Sequence, residues 1–258
     1  MKDMVVSGFS SIDKIIGGFM PSSLYVIAER STMVNSVIGA NLAYSMSVNK
    51  SQQMLYFSLI RSNVQMTTSL ISMKIGISAD QIKKGELEGT QWKTMDKIIA
   101  SIADAPMFLD DTIPFRTEKV CSKIRNTQCD VVVIDGFCIP DSIERTEAVQ
   151  RLKTLSVELE IPIILITEYR QKKQDYSPLS LQWKKSALDS IDCLMFVETP
   201  LHGALNSIIN LPDWAIHSPV CFPRNVYSIH FAKHGICEGG DAMLKIDLAT
   251  GRLADFVM

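Results

Sequence analysis

Cys129-Asp130-Val131-Val132-Val133-Ile134-Asp135-Gly136 is the stretch whose reading decides the fold. Val131–Ile134 is an unbroken run of β-branched residues, so a strand made from it has no polar face. Such a strand must be covered on both sides, as in a parallel sheet between two layers of helices. The run stops at Asp135, which puts a carboxylate at the carboxyl edge of that sheet, where open α/β sheets bind their ligands. Two readings of Asp135 stand side by side: a carboxylate that orients Mg²⁺ through its waters, or a turn or helix cap, as strand-ending aspartates often are.

Outward from this run the same pattern repeats. Apolar stretches of strand length occur at 24–28, 54–58, 107–109, 161–166, 193–197 and 226–231. Amphipathic stretches of helical length lie among them at 35–49, 64–75, 91–103, 117–126 and 147–159. This alternation predicts an α/β fold, a mainly parallel sheet covered by helices on both faces. The end of the chain reads differently, with a strand, a turn at Glu238-Gly239-Gly240-Asp241, a strand through 244–246 and a last turn at Thr250-Gly251, a pattern for antiparallel C-terminal strands. The expected organisation is a single domain over 1–258. Residues 199–225 hold four of the ten prolines and read as a Pro-rich surface connection.

Composition narrows the function classes. The 258 residues carry 26 Lys+Arg against 28 Asp+Glu, which excludes a protein that binds polyanions through its bulk charge. No run approaches the roughly 20 apolar residues that a spanning helix needs, and Met1–Ser7 lacks the features of a secretory signal. The six cysteines are widely spaced without a Cys-x-x-Cys pair, and the four histidines show no ligand spacing. These features predict reduced thiols, no metal site, no membrane contact and a cytoplasmic protein.

Read end to end, the segment order resembles the RecA-like C-terminal motor domain of the bacterial replicative hexameric helicases of the DnaB type. Ser7-Gly8-Phe9-Ser10-Ser11-Ile12-Asp13, with Gly17-Gly18-Phe19 and Pro21, is similar to that domain's opening element. Leu55-Tyr56-Phe57-Ser58-Leu59 resembles its second strand, Leu109-Asp110-Asp111-Thr112 its Asp-Asp-Thr turn, and Val131–Asp135 its metal-orienting strand. The stretch 155–166, with Glu158-Leu159 and Ile161-Pro162, resembles the helix and strand that follow, and Ala232-Lys233 the strand end on the subunit boundary. The resemblance implies a RecA-like P-loop NTPase fold. The family's N-terminal collar domain is expected to be absent, since the chain begins just before the motor's opening element.

The chemistry that the resemblance implies is depleted. The family's phosphate loop ends in Gly-Lys-Thr; the matching stretch here is Arg30-Ser31-Thr32-Met33-Val34-Asn35-Ser36, with Val34, Asn35 and Ser36 in those places. Glycine lets backbone N–H groups curl around phosphates and lysine adds a point charge. A β-branched residue forced to positive φ costs about 1–3 kcal/mol, and loss of the lysine removes a charge-assisted contact of roughly 1.5–3 kcal/mol. Ile60 stands where the family carries the glutamate that activates water, and His234-Gly235 where it carries an arginine that reaches a neighbouring subunit. The degenerate nucleotide site then comprises Arg30, Ser31, Thr32, Asn35, Ser36, Asp135 and Glu168, the last where the family senses the terminal phosphate. No catalytic residue, metal or cofactor is assigned; a weak ATP·Mg²⁺ contact is the most these residues allow.

One segment offsets the neutral total charge. Between 170 and 185 lie Arg170, Lys172, Lys173, Lys184 and Lys185 against Asp175, interleaved with Tyr176 and Trp183 and preceded by Tyr169. Basic groups with aromatic platforms suit single-stranded nucleic acid, and the resemblance puts a channel-facing loop in this region. A solvated charged loop is the alternative. Lys233 is the subunit-boundary candidate. The expected function is therefore a catalytically inactive relative of the replicative helicase motor. It would act in DNA replication or recombination through assembly with itself or an active helicase, and through single-stranded DNA. Two alternatives stay open: an active ATP-dependent DNA helicase with an atypical phosphate loop, and an interaction scaffold that binds neither nucleotide nor DNA.

Overall fold

The structure is a computed structural model that describes residues 3–29, 37–169, 178–198, 226–232, 236, 239–247 and 249–256. The described strands form one sheet: β1 (Leu24–Glu29), β2 (Met54–Ser58), β3 (Met107–Asp110), β4 (Val131–Asp135), β5 (Ile163–Glu168), β6 (Cys193–Glu198), β7 (Val226–Ala232), β8 (Gly240–Asp247) and β9 (Arg252–Asp255). Their order is β3-β2-β4-β5-β1-β6-β7-β8-β9. The first six strands in that order run parallel, and β7, β8 and β9 are added antiparallel. The sequence expectation of a parallel sheet with antiparallel C-terminal strands holds.

Helices cover both faces because alternate residues of the central strands are apolar on both. Tyr25, Ile27, Tyr56, Val131 and Val133 pack with α1 (Ser10–Ile16), α2 (Val37–Ala43), α3 (Asn63–Ile75) and α5 (Gly89–Ala103). Leu24, Val26, Val132 and Ile134 pack with α6 (Thr117–Asn126), α7 (Ser142–Leu159) and α8 (Lys185–Leu188) on the other side. The short α4 (Ala79–Lys84) follows α3. Every residue of β4 is buried, as a doubly covered strand requires.

Local chemistry sets where the helices begin. Ser62 accepts from the Gln65 N–H while the Gln65 side chain returns to the Ser62 N–H, a capping box that opens α3. The Asp141 carboxylate accepts from the N–H groups of Ile143 and Glu144 and opens α7. The hydrophobic period alone does not anticipate α1, α4, α8 or β9. The start of α1 is made from the far end of the chain. The Asp255 carboxylate accepts from the N–H and hydroxyl groups of both Ser10 and Ser11 at 2.6–2.9 Å.

The predicted helix over 35–49 is described as α2 continued by a π-helical stretch, Tyr44–Asn49. Cys193 is disulfide-bonded, which corrects the expectation of six reduced thiols; sequence spacing does not show which cysteines approach one another in three dimensions. Cys121 and Cys138 are free thiols. Among the described residues no helix is long and apolar enough to cross a membrane.

Candidate functional site

At the carboxyl edge of the parallel strands, on the α2 face, the polar ends of four neighbours come together. Glu29 ends β1, Ser58 ends β2, Asp135 ends β4 and Glu168 ends β5. Register places Ser58 opposite Asp135 and Glu29 opposite Glu168. Of the sequence-predicted nucleotide residues, Asp135 and Glu168 share this edge, whereas Arg30, Ser31, Thr32, Asn35 and Ser36 lie outside the described residues.

Asp135 is 1% exposed. Its Oδ2 accepts a 2.6 Å hydrogen bond from the Tyr56 hydroxyl, and the Arg61 guanidinium Nη2 stands 3.8 Å from the same oxygen. Burial and the neighbouring Asp135 charge raise the Tyr56 hydroxyl well above its ordinary pKa, an effect that the nearby Arg61 partly offsets. Tyr56 therefore stays a protonated donor. Helix α2 lies directly on this group: a Cβ at Gly39 would stand 2.5 Å from Tyr56 Oη, 2.9 Å from Ile166 Cδ1 and 3.4 Å from Asp135 Oδ2. Only glycine fits there without displacing buried atoms.

Arg61 is fixed from several directions. Ser58 Oγ donates to its carbonyl at 2.6 Å, Nη1 donates to Ser69 Oγ at 3.1 Å, and the α3 cap begins at the next residue. Two residues earlier, the Leu59 N–H donates to the Asp135 carbonyl at 2.9 Å. Ile60 presses against the turn after β4, because a Cβ at Gly136 (φ +86°) would stand 2.3 Å from Ile60 Cγ1.

The fold family implies a Mg²⁺–nucleotide at this edge, and the described residues do not fit one. One carboxylate oxygen of Asp135, Oδ2, is engaged by a tyrosine hydroxyl and faced by a guanidinium. Ile60, expected from the resemblance to stand where the family carries its water-activating glutamate, is apolar. Among the described residues no group of three or more His, Cys, Asp or Glu side chains is arranged to hold a metal ion. Sequence reading missed Tyr56, Arg61 and Gly39 as parts of this site. A glycine inside a helical pattern was the one available signal, since it often marks a close approach.

The basic segment is described in part. Lys184 and Lys185 are exposed at the start of α8, and Lys185 pairs with Asp189 at 3.2 Å. Beside them Trp183 meets the Phe137 ring edge-on at 5.9 Å between centroids, and the Arg145 guanidinium lies 5.7 Å from the Trp183 ring centre. Arg170, Lys172, Lys173 and Lys233 lie outside the described residues.

The family described as the DnaB-like helicase C terminal domain matches residues 5–188. Replicative DNA helicase DnaB from Nostoc sp. (strain PCC 7120) is 26% identical over 173 residues, covering 62% of this chain and 20% of that protein. Its counterpart from Geobacillus stearothermophilus is 23% identical over 198 residues, covering 70% of this chain and 44% of that one. The chain thus spans less than half the length of either relative. Among solved structures, an ATPase domain superposes with a TM-score of 0.81 at 17% identity, covering 99% of this chain and 92% of that one. A DnaB-like replicative helicase, solved for its interactions with primase, gives 0.80 at 18%, covering 99% of this chain and 64% of that one. The fold is the RecA-like P-loop NTPase fold.

Proposed function

Because this chain belongs to the family of the DnaB-like helicase C-terminal domain, we propose that it is a non-hydrolysing relative of the replicative helicase motor. It acts in the cytoplasm, in DNA replication or recombination, by assembling with copies of itself or with an active helicase, Lys233 lying on the subunit boundary. The observation that carries this reading is the engagement of Asp135 by Tyr56 within the fold, at 2.6 Å. Phosphoryl transfer relies on positioning and electrostatic stabilisation. Val34 and Asn35 remove the phosphate cradle and its lysine, and Ile60 removes the carboxylate that would activate water.

Single-stranded DNA is the polymer that Arg170, Lys172, Lys173, Lys184 and Lys185 would contact. The exposed Lys184–Lys185 pair beside Trp183 supports this, since charge tracks phosphates while rings stack on bases.

ATP turnover with and without single-stranded DNA tests the first claim. No turnover above that of Asp135→Asn is expected. A DNA-stimulated rate abolished by Asp135→Asn makes the chain an active helicase with an atypical loop instead. Fluorescence anisotropy with a labelled single strand tests the second claim. Binding is expected to weaken with salt and with Lys184→Glu/Lys185→Glu, whereas absence of binding at every salt concentration leaves only a scaffold.

A further inference from the structure

We propose that Arg61 is the built-in counter-ion of Asp135, so that this motor core holds its carboxyl-edge geometry without Mg²⁺ or nucleotide. The inference deepens the non-hydrolysing reading and concerns the same site, but it can fail on its own. Three observations support it. Nη2 of Arg61 stands 3.8 Å from Asp135 Oδ2, on the oxygen that also accepts from Tyr56. The guanidinium is largely withdrawn from water, its side chain being 16% exposed and that of Asp135 1%. Finally, Arg61 is held in place independently of Asp135, through Ser58 Oγ on its carbonyl, Ser69 Oγ on Nη1 and the α3 capping box that starts at Ser62.

The chemistry follows from the group itself. A guanidinium keeps its charge at any pH at which a protein stays folded, so it neutralises the carboxylate permanently. A divalent ion does so only when bound, and then its binding energy becomes coupled to folding. With Arg61 present, a second cation beside Asp135 would meet a resident positive charge. With Arg61 gone, that resident charge is removed, and a hard oxygen-seeking ion of the Mg²⁺ class, the kind carboxylates take, would meet less repulsion beside Asp135.

The test uses the full chain without nucleotide, and Mn²⁺ as a paramagnetic probe of the Mg²⁺ class. In the wild type, Mn²⁺ is expected to broaden the amide signals of Gly39 and Gly136 no more than it does in Asp135→Asn. Broadening there that disappears in Asp135→Asn overturns the inference. Arg61→Met is expected to acquire Asp135-dependent broadening, together with a Mg²⁺-dependent rise in its unfolding midpoint. Its apparent Mg²⁺ affinity should exceed the wild-type value by roughly tenfold or more. Both gains should vanish when Asp135→Asn is added. An Arg61→Met chain as indifferent to metal as the wild type also overturns the inference. Arg61→Lys keeps a positive charge and should behave as the wild type does. If Arg61→Met does not fold, the Mn²⁺ titrations of wild type, Asp135→Asn and Arg61→Lys decide alone. No arm contains nucleotide, so a result against Arg61 leaves the ATP-turnover test standing, and turnover leaves the metal result standing.

Discussion

Asp135 and Asp255 both end strands, and the fold treats them oppositely. Asp135 closes the doubly covered β4 and is 1% exposed, whereas Asp255 closes the edge strand β9 and is half-buried. Asp255 is a cap: it satisfies the first N–H groups of α1, which Phe9 at the N-cap position does not. Asp135 instead accepts from the buried Tyr56 and faces Arg61. The difference is one of solvent. A carboxylate near water needs only donors, and two serines with their backbone N–H groups suffice. A carboxylate sealed under α2 needs an opposite charge as well, since an unpaired buried charge is among the costliest groups in a fold.

Of the two carboxylates, Asp135 is the one whose removal should cost the fold more. Asp135→Ala takes the carboxylate away from Arg61 and Tyr56 and should cost roughly 3 kcal/mol of stability in chemical denaturation. A loss no larger than that of an exposed substitution would show that the pair is not coupled to folding.

Gly39→Ala tests the packing that seals the same site. A methyl group 2.5 Å from Tyr56 Oη must displace a buried ring or lift α2, at an expected cost of about 1–3 kcal/mol. In a Tyr56→Phe background, where that hydroxyl is missing, the same change should cost less. An equal cost would place the strain elsewhere, for instance on Ile166.

Asp255→Ala should have the smallest effect, about 1 kcal/mol for loss of a cap. It also has a pH signature. Partial burial pushes the Asp255 carboxyl up, but the hydrogen bonds from Ser11 and Ser10 outweigh this and hold it below the ordinary aspartate value. A lowered carboxyl contributes stability that is present above its unfolded-state pKa and lost as pH falls through its folded-state pKa. The gap between wild type and Asp255→Ala in urea midpoint should therefore narrow as pH drops through the carboxylate range. A gap unchanged by pH would mean that Asp255 matters through packing alone.

Legibility in the sequence followed the range of the interactions. The strand at Val131–Asp135 was readable because four β-branched residues in a row carry their own burial requirement. Helix α6 was readable to the residue because its amphipathic period lies within one short stretch. Helix α1 was not, for its cap comes from a residue 245 positions away. The candidate site divides along the same line. The expected loss of the family's glycine, lysine and glutamate rests on single identities, Val34, Asn35 and Ile60, which can be read directly. The engagement of Asp135 could not be, because Tyr56 is 79 residues from it and meets it only when β2 is laid beside β4.

By itself, then, the amino-acid sequence determined a mainly parallel sheet and an aspartate at its carboxyl edge. These follow from the hydrophobic period and the residue types, which act locally. Which groups that aspartate meets was decided by the tertiary structure alone. The order of the strands brings Tyr56 and Arg61 to Asp135 and α2 excludes water from it, and a carboxylate so buried must be neutralised by whatever the fold places within reach.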